Sequence, residues 1–488
     1  MNLIKNNIWN VLLYGCGLVV VNGLSFLMLP FYTRQFSPAE YAVIVLIFVC
    51  LPFTRYTLPL EVCQAAPIFS ADDEKNSSQY ISTGFWFTLL INIQVCIYFY
   101  IANNYWHFLD LSSFHLITIF ILLTIDCLFY FTSNILRWQL KPFKYNAIIA
   151  SAAILEVVLT INFVLNFHLG IFGVFYAWIL SRLTGLLFVF LYTKQFYTLS
   201  FNFRVLKKML FFSAPLALSN LSYNLNRAFD RWIIGNLIGL TAVGIYGAGA
   251  TIGGVISFIM ASLSAALSPI IYKNHENKDS PVQILRLFYL VLILCMVVAM
   301  SLVLFNKDIL HILVSPIYYR ELADQSVVPI IMLTTIVSGL HIFSPGLSIK
   351  KKTHYIIWFN LISFIVNVSL AYLLIMQFNI TGVAFATMLS VLVNTLLYMV
   401  YGQKFYKLPF RSSHLISLAL LFSSFYAGAI WLGKQDSLLT WQGVFIKSTY
   451  GLLFFSLSLV LFLRINKSLT GSLQRKHVFA YQFAEEIQ

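Results

Sequence analysis

The stretches GVFYAWILSRLTGLL at residues 173–187 and GVAFATMLSVLVNTLL at residues 382–397 share one pattern. Their Gly, Val, Ala, Leu and Ser residues recur in register at a separation of 209 positions. A weaker match lays NGLSFLMLPFYTRQFSPAEYAVI, from Asn22, on NLNRAFDRWIIGNLIGLTAVGIY, from Asn224, at a separation of 202 positions. Because the two separations are nearly equal, they indicate an internal duplication in which each copy contains the same series of elements.

The chain that carries this repeat is too apolar to be a soluble protein. Of its 488 residues, 60% are hydrophobic and 10% are charged, and the mean hydropathy is +0.83. Soluble domains carry about 25% charged residues, so this chain has too few polar side chains to coat a core of its size. The sequence therefore predicts an all-α polytopic membrane protein.

About fourteen apolar runs are long enough to cross a bilayer, which takes roughly 20 residues of helix. Six spans separate the two copies of the repeat, and this even number gives the copies the same orientation. We therefore expect two parallel six-helix repeats plus two extra helices. The predicted spans are 8–31, 40–60, 80–102, 114–136, 146–167, 170–192, 209–237, 241–272, 286–305, 325–349, 354–377, 380–402, 413–432 and 441–463.

The repeat also sets the predicted domain boundaries. The N-terminal lobe is residues 1–200 with spans 1–6, and the C-terminal lobe is residues 201–408 with spans 7–12. Residues 409–488 hold spans 13 and 14 and a cytoplasmic tail. In secondary transporters that are built from parallel repeats, the substrate binds between the lobes near the membrane midplane, and we expect the same here.

The net charge of +14 follows the predicted topology. With the N-terminus in the cytoplasm, cytoplasmic segments hold 22 of the 31 basic residues and the opposite side holds four. The positive-inside rule explains such a split, so both termini should be cytoplasmic and nucleic acid is not an expected partner. The six cysteines form no CxxC and the nine histidines form no HExxH, which predicts no metal site, no disulfide framework and no cofactor.

Four charged residues lie near the centres of predicted spans in the first repeat, namely Arg55, Asp126, Glu156 and Arg182. A charge at the centre of a span costs about 2.5–3.5 kcal/mol on insertion scales, so each should face protein or water. At the positions equivalent to Arg182 and Glu156, the second repeat has Val391 and Ile365. The two lobes are therefore electrically unequal.

Two interpretations of these four residues stay open. Arg55 and Arg182 either bind an anionic substrate directly or form structural ion pairs with the carboxylates. Asp126 and Glu156 either bind a coupling proton or sodium ion, or they hold helices together by pairing with the arginines. Both interpretations follow from the same cost of burying a charge in a membrane.

A second charged group lies in the segment NRAFDRW at residues 226–232. Arg227, Asp230 and Arg231 are spaced i, i+3 and i+4, so a helix places them on one face with a net charge of +1. A guanidinium matches phosphate oxygens in a bidentate geometry, which favours an anion site. The alternative is that both arginines lie near the periplasmic edge of span 7 and extend to the membrane surface, as we also expect of Lys447 in span 14.

The segments LMLPFYTRQFSPAEYAV after span 1 and DRWIIGNLIGLTAVGIYGAGATI across spans 7 and 8 resemble Wzx-type polysaccharide-unit flippases. The plan of six plus six plus two spans resembles that of the multidrug/oligosaccharidyl-lipid/polysaccharide exporter superfamily, to which these flippases belong. The resemblance covers the chain through about residue 470. It contains no catalytic signature, so it implies a transporter rather than an enzyme.

The resemblance implies the flipping of undecaprenyl-pyrophosphate-linked O-antigen or capsule units from the cytoplasmic to the periplasmic leaflet of the bacterial inner membrane. It also implies alternating access driven by an ion gradient, around a cationic cavity. Expected partners are this lipid-linked oligosaccharide, membrane lipids, and polysaccharide polymerase and chain-length proteins, with the flippase itself a monomer. The residues expected to bind pyrophosphate are Arg55, Arg182, Arg227 and Arg231, and those expected to couple ions or to pair structurally are Asp126, Glu156 and Asp230.

Other functions stay open at this point. A drug or cation antiporter of the same superfamily would favour acidic cavity positions, and Arg55 and Arg182 argue against it. A polysaccharide polymerase or membrane glycosyltransferase would need a large periplasmic loop, whereas the longest one here, residues 306–324, is short and has no paired carboxylates. A lipid II flippase of the peptidoglycan pathway would share the same architecture.

Overall fold

The computed structural model describes residues 20–106, 112–139, 141–260, 271, 277, 279–350, 352, 354–434 and 441–485. Throughout these ranges the regular backbone is helical and contains no β-strand. Long apolar helices make up most of the described chain. The prediction of an all-α polytopic membrane protein is therefore confirmed.

The helices follow one another with short connections. In chain order the first are α1 (Leu29–Gln35), α2 (Pro38–Pro52), the π-helix π1 (Phe53–Thr57), α3 (Val62–Asp72), α4 (Ser77–Trp106), α5 (Ser113–Trp138), α6 (Pro142–Ile161), the π-helix π2 (Asn162–Asn166) and α7 (Gly170–Thr193). The others are α8 (Phe203–Leu237), α9 (Leu240–Gly253), α10 (Ser280–Leu304), α11 (Asn306–Leu313), α12 (Pro316–Asp324), α13 (Val327–Gly339), α14 (Gly346–Ile349), α15 (His354–Phe405), α16 (Ser412–Lys434) and α17 (Trp441–Glu485).

Nine helices of the described residues are long and apolar enough to span a membrane, or ten if the bent pair Pro316–Ala323 and Val327–Phe343 is one span. One of the nine, α15, is 52 residues long and contains predicted spans 11 and 12, which are divided at Asn379 by non-helical backbone (φ 50°, ψ −138°). Predicted span 7 corresponds to the 35-residue α8, which is not among the nine. Predicted span 8 begins with the 14-residue α9, and its end lies outside the described residues. Predicted span 1 lies largely outside the described residues.

The chain divides into two compact units. The first contains Met1–Gly247 and Asn360–Asn379, and the second contains Ala248–Phe359 and Ile380–Gln488. The first unit therefore includes α8, the start of α9 and part of α15 in addition to the helices of the first repeat. The predicted boundaries at residues 200 and 408 follow the duplication rather than proximity in space, and they stay a prediction.

Local sequence determines where α2 begins. Ser37 is the N-cap: its hydroxyl accepts a hydrogen bond from Glu40 N at 3.4 Å, and the Glu40 carboxylate accepts one from Ser37 N at 2.9 Å. This is a capping box, and Pro38 occupies the first helical position, where its missing N–H costs nothing. The start of α2 meets α9 at Gly244, where a Cβ would overlap the carbonyl oxygen of Pro38. Only glycine permits this approach of the two backbones.

In the second unit, a buried ion pair connects α17 to α11. Lys447 Nζ lies 2.9 Å from Asp308 Oδ2 and 5.7 Å from the ring centroid of Phe305. The Lys447 side chain is only 4% exposed. The expectation that Lys447 extends to the membrane surface is therefore wrong, because a carboxylate lies within its reach inside the protein.

Gly244→Ala is expected to destabilise the protein, because the new methyl group would meet backbone atoms that cannot move aside. Overpacking of this kind costs about 1–3 kcal/mol, and occasionally more. The measurement is the thermal unfolding midpoint of the purified protein in detergent, which should fall. Gly235→Ala is the matched control, since the nearest atom to a Cβ there belongs to Val243 at 3.5 Å. Equal midpoints for the two variants would contradict the close approach.

Lys447→Met is expected to lower the unfolding midpoint, because it leaves the Asp308 carboxylate without its cation. Breaking a buried pair costs about 3–5 kcal/mol, and a smaller loss is expected here because the Asp308 side chain keeps 19% exposure. Adding Asp308→Asn should recover part of the loss in a double-mutant cycle. If the two single effects simply add, the pair makes no energetic contribution.

Candidate functional site

Arg55 lies in a break of the second span, between α2 and α3. The backbone there forms π1, and Leu60 and Glu61 after it adopt left-handed conformations with φ of 48° and 57°. Residues other than glycine hold such backbone only where their surroundings impose it. π-bulges inside membrane or soluble helices are frequent at functional sites, so this break is a candidate functional segment.

Two carbonyl groups of the break are bonded by thiols. In the i to i+5 pattern of a π-helix, the carbonyl of Thr54 would bind the N–H of residue 59, but Pro59 has none. Cys127 Sγ lies 3.0 Å from the Thr54 oxygen instead, and Cys63 Sγ lies 3.7 Å from the Arg55 oxygen. Because buried carbonyl groups need hydrogen-bond donors, these two thiols stabilise the irregular backbone that presents Arg55.

Four charged side chains from four elements form one chain of ion pairs. Arg55 on π1 donates from Nε and Nη2 to the two carboxylate oxygens of Asp126 on α5, at 2.5 and 2.7 Å. Arg182 on α7 reaches Asp126 Oδ1 from Nε at 3.2 Å and Glu156 Oε2 on α6 from Nη2 at 2.9 Å. Cations and anions alternate along this chain, so its formal charge is zero.

The ends of this chain of ion pairs are more accessible than its middle. Asp126 is fully buried, whereas the side chains of Arg55 and Glu156 keep 24% and 18% exposure. The Arg55 guanidinium also lies 5.8 Å from the ring centroid of Tyr130, within the range of a cation–π interaction. A ligand could therefore approach Arg55 or Glu156 without displacing the Asp126 carboxylate from the protein interior.

All four charged residues that the sequence singled out in the first repeat are brought together. Asp126 and Glu156 pair with the arginines, which is the structural alternative stated for them. Substrate binding by Arg55 and Arg182 stays a prediction. A guanidinium that already binds a carboxylate can bind phosphate by exchanging one anionic partner for another.

On α8, Asp230 and Arg231 are buried and Arg227 is exposed. The Asp230 carboxylate accepts a hydrogen bond from Asn367 Nδ2 at 2.9 Å and one from the Tyr246 hydroxyl at 3.3 Å. Arg231 Nη1 lies 3.7 Å from Asp230 Oδ2. The three charged residues of NRAFDRW therefore differ in exposure: Asp230 and Arg231 are buried inside the first unit, and the Arg227 side chain is accessible.

The Arg231 side chain packs against the protein rather than extending to a membrane surface. Its guanidinium lies 5.1 Å from the ring centroid of Tyr246, and Nη1 donates to the carbonyl oxygen of Arg227 at 3.2 Å. Arg227 itself stays available either to a phosphate or to a membrane surface, so the two alternatives stated for this segment now concern Arg227 alone.

Glu61, a carboxyl group that is 0% exposed in the same break as Arg55, was not among the residues predicted from the sequence. Glu61 Oε1 accepts a hydrogen bond from Asn220 on α8, and Oε2 lies 3.5 Å from Cys63 Sγ. The predicted second span ends at residue 60, which places Glu61 in a loop. The signal that could have found it is the apolar run VCQAAPIF at 62–69, because Glu61 then lies between two apolar segments.

Metal-binding side chains are dispersed in the described part of the chain. No group of three or more His, Cys, Asp or Glu residues there is placed to hold a metal ion. The cysteines of that part, Cys50, Cys63, Cys96, Cys127 and Cys295, are free thiols.

Two family models match the chain. The model described as polysaccharide biosynthesis protein matches residues 7–275, and the MatE model matches residues 215–373. The first match covers more than half of the 488 residues, and it includes the four ion-paired residues and the charged part of α8. No curated protein matches the chain.

Solved structures with a similar fold are membrane transporters. A multidrug resistance MATE family transporter of the MOP superfamily, inward-facing, aligns with a TM-score of 0.62 and 13% identity over 79% of this chain and 93% of its own. MATE in the straight conformation aligns with a TM-score of 0.61 and 16% identity over 82% and 95%. An outward-facing MATE family transporter of the same superfamily aligns with a TM-score of 0.60 and 13% identity over 83% and 97%.

At these identities the solved structures show the fold, and the family model shows the family. The resemblance to the exporter superfamily is confirmed by both kinds of match. Proteins of this fold and family are transporters rather than enzymes. The chain is a multi-pass membrane protein that belongs to the polysaccharide biosynthesis protein family and has the fold of the MOP superfamily of transporters.

Proposed function

We propose that this protein moves undecaprenyl-pyrophosphate-linked oligosaccharide units from the cytoplasmic to the periplasmic leaflet by alternating access, coupled to a gradient of protons or sodium ions. The observation that carries the proposal is the presence of Arg55 and Arg182 inside the spans of a member of the polysaccharide biosynthesis family. Arginine is the side chain best matched to phosphate oxygens.

The physical chemistry of the cargo supports this assignment. A pyrophosphate group does not cross hydrocarbon unaided, because an isolated ion costs many kcal/mol there. A protein that carries the group has to offer cations at membrane depth, and those cations have to be neutralised whenever no substrate is bound. Asp126 and Glu156 neutralise Arg55 and Arg182 in this way.

In our proposal, substrate binding begins at Arg55. Both bonds from Arg55 to Asp126 use Nε and Nη2, which leaves Nη1 for an incoming phosphate oxygen. Arg55 is also the more exposed of the two paired arginines. Phosphate would then compete with Glu156 for Arg182, while the buried Asp126 continues to hold both guanidinium groups in place.

The comparisons are consistent with a transport cycle of two states. Among similar folds are an inward-facing and an outward-facing conformation of multidrug resistance MATE family transporters. We extend alternating access to this chain on the basis of the shared fold. The protein would lie in the bacterial inner membrane with both termini cytoplasmic, an orientation that the 22-to-4 split of basic residues supports.

A drug or cation antiporter is the second candidate. The match of residues 215–373 to the MatE model and the multidrug transporters among the similar structures favour it. A cationic substrate would bind to carboxylates, and Glu156 is the more exposed of the two carboxylates in the chain of ion pairs. The two candidates therefore differ in the charge of the substrate. They also differ in which end of the chain of ion pairs, Arg55 or Glu156, binds it.

The proposal is tested in a deletion strain by extracting polyprenyl-linked oligosaccharides and probing the surface glycan in parallel. Loss of surface glycan, with lipid-linked single repeat units retained on the cytoplasmic side, is the expected result. An intact glycan with altered resistance to drugs or dyes would favour the antiporter instead. Single units that still reach the surface would indicate a polymerase.

Two further measurements test the expected partners and the monomer. Copurification tests binding of polymerase and chain-length proteins, and the mass of the detergent-solubilised protein tests whether it is a monomer.

Arg55→Gln is expected to abolish surface glycan while the amount of protein in the membrane stays near that of the wild type. The variant removes the accessible guanidinium and leaves Asp126 with Arg182 as its only cation. Immunoblotting of membranes and glycan staining of the same cells are the measurements. Retained glycan at normal protein level would remove Arg55 from the mechanism.

A double variant controls for the charge that Arg55→Gln leaves unbalanced. Arg55→Gln with Asp126→Asn removes one cation and one anion, so Arg182 and Glu156 stay paired. We expect this double variant to have normal protein levels and still no glycan. Recovery of glycan would show that Arg55 acts only as the partner of Asp126.

The arginines of α8 are expected to separate binding from stability. Arg227→Gln should lower glycan export without changing the unfolding midpoint, because the side chain is exposed. Arg231→Ala should lower the midpoint, because it removes a buried guanidinium next to Asp230 and Tyr246. Normal export by Arg227→Gln would assign Arg227 to the membrane surface.

A further inference from the structure

The thiol of Cys63 makes two close contacts with oxygen atoms. Its Sγ lies 3.7 Å from the carbonyl oxygen of Arg55 and 3.5 Å from Oε2 of Glu61. A thiol has one hydrogen to donate. The Arg55 oxygen can only accept, so a thiol that donates to it has no hydrogen left for Glu61. In that arrangement the hydrogen between Glu61 and Cys63 comes from the Glu61 carboxyl group, whereas a thiol that donates to Glu61 leaves the Arg55 oxygen without this donor.

The surroundings of Glu61 favour the same protonated form. The carboxyl faces Asn220 on α8 and Cys63 and Gln64 on α3, all of which are neutral groups. Arg55, in the adjoining π1, has its described bonds on another carboxylate. An ionised carboxylate buried without a cation is strongly disfavoured.

The element behind Cys63 is α5, which also brings the phenol of Tyr130 close to this thiol and carries Arg137 near that phenol. Helix α5 contributes the thiol of Cys127 next to Cys63, and the amide of Asn134, which donates to the Cys63 carbonyl oxygen at 2.8 Å. Glu61 therefore differs from Asp126 and Glu156, which bind guanidinium groups directly. Among these three carboxyl groups, Glu61 is the one whose described partners are all neutral.

We propose that Glu61 carries a proton in this conformation and transmits its protonation state to the backbone of Arg55 through the thiol of Cys63. This inference rests on the proposed function, for which it names the proton-sensitive group at the pyrophosphate site. With the proton present, Glu61 O–H donates to Cys63 Sγ, and Cys63 S–H donates to the Arg55 carbonyl oxygen.

Loss of the proton reverses the second hydrogen bond. The O–H bond of Glu61 breaks and the proton passes to water, whereas the S–H bond of Cys63 only rotates. An ionised carboxylate is a much stronger acceptor than a carbonyl, so the thiol turns to Glu61 and the Arg55 carbonyl loses its donor. The segment that presents Arg55 thereby loses one of its restraints. Leu60 and Glu61, which follow in this segment, hold left-handed backbone that depends on such restraints.

The proton also affects a contact with α8. Glu61 Oε1 accepts a hydrogen bond from Asn220, on the helix that carries Arg227. A charge on the carboxyl group would strengthen this bond at the same time as it releases Arg55. One proton therefore changes the restraints on two elements that hold the arginines expected to bind substrate.

The test is infrared difference spectroscopy of the full chain in lipid nanodiscs as the pH is raised. S–H stretches and the C=O stretch of protonated carboxyl groups absorb in separate windows. We expect a protonated carboxyl band at neutral pH that is lost in Glu61→Gln, and an S–H band that is lost in Cys63→Ser. In the wild type the two bands should shift together with pH, and in Glu61→Gln the S–H band should not shift. Glu74→Gln, at an exposed position, should behave as the wild type.

A second variant keeps the test decisive if Glu61→Gln fails to fold. Cys63→Ser retains Glu61 and replaces the thiol by a stronger hydrogen-bonding hydroxyl, so the Glu61 carboxyl band should move to lower frequency. An ionised Glu61 at neutral pH, an unmoved carboxyl band in Cys63→Ser, or a pH-dependent S–H band in Glu61→Gln would each overturn the proposal.

Transport measurements separate this inference from the proposed function. In proteoliposomes with undecaprenyl-pyrophosphate-linked oligosaccharide, Glu61→Gln should transport with a flat pH profile, whereas the wild type should show a pH-dependent rate. The joint pH-dependent shift of the carboxyl and S–H bands can be measured without substrate. If the two bands shift together but the wild type moves no such lipid, the proposed function fails and the proton-sensitive group remains. If the lipid moves but the bands do not shift together, this inference alone fails.

Discussion

A guanidinium inside a membrane is tolerated only while another group cancels its charge, and Asp126 does this for two arginines. It is fully buried on α5 and accepts hydrogen bonds from Arg55 on π1 and from Arg182 on α7. Arg182 extends the connection to Glu156 on α6. Four elements are thus connected through one carboxylate, and the arrangement of cations that could meet a phosphate depends on it.

Buried carboxyl groups in the first unit are satisfied in two different ways. Asp126 binds guanidinium groups, whereas Asp230 is bonded by the amide of Asn367 and the hydroxyl of Tyr246, with Arg231 at a longer distance. The duplication predicted from the sequence does not extend to these charges, since Val391 and Ile365 occupy the positions equivalent to Arg182 and Glu156. The chemistry that we assign to substrate binding therefore lies in the first repeat and on α8.

The sequence could predict the class of fold, the superfamily and the members of the ion-paired cluster, because a charge within an apolar run is visible without coordinates. It could not predict which carboxylate binds Arg55. Asp126 lies 71 residues away, and the choice between it and Glu156 depends on how helices pack. Glu61 was missed because Pro59 is typical of the end of a span, whereas the chain continues through left-handed backbone into α3. The partner of Lys447 depends on packing in the same way.

The neutrality of the ion-pair chain has a consequence for how a ligand would find it. A cluster with a formal charge of zero produces a field that decays faster with distance than that of a net cation, so it gives little long-range attraction to phosphate, nucleotides or other anions in the cytoplasm. An anion attached to a lipid does not need that attraction, because diffusion within the leaflet already brings it to the protein. Attraction of an anion from the cytoplasm would then depend on the basic residues predicted on that side and not on the cluster, whereas cargo that comes from the membrane reaches the cluster without it.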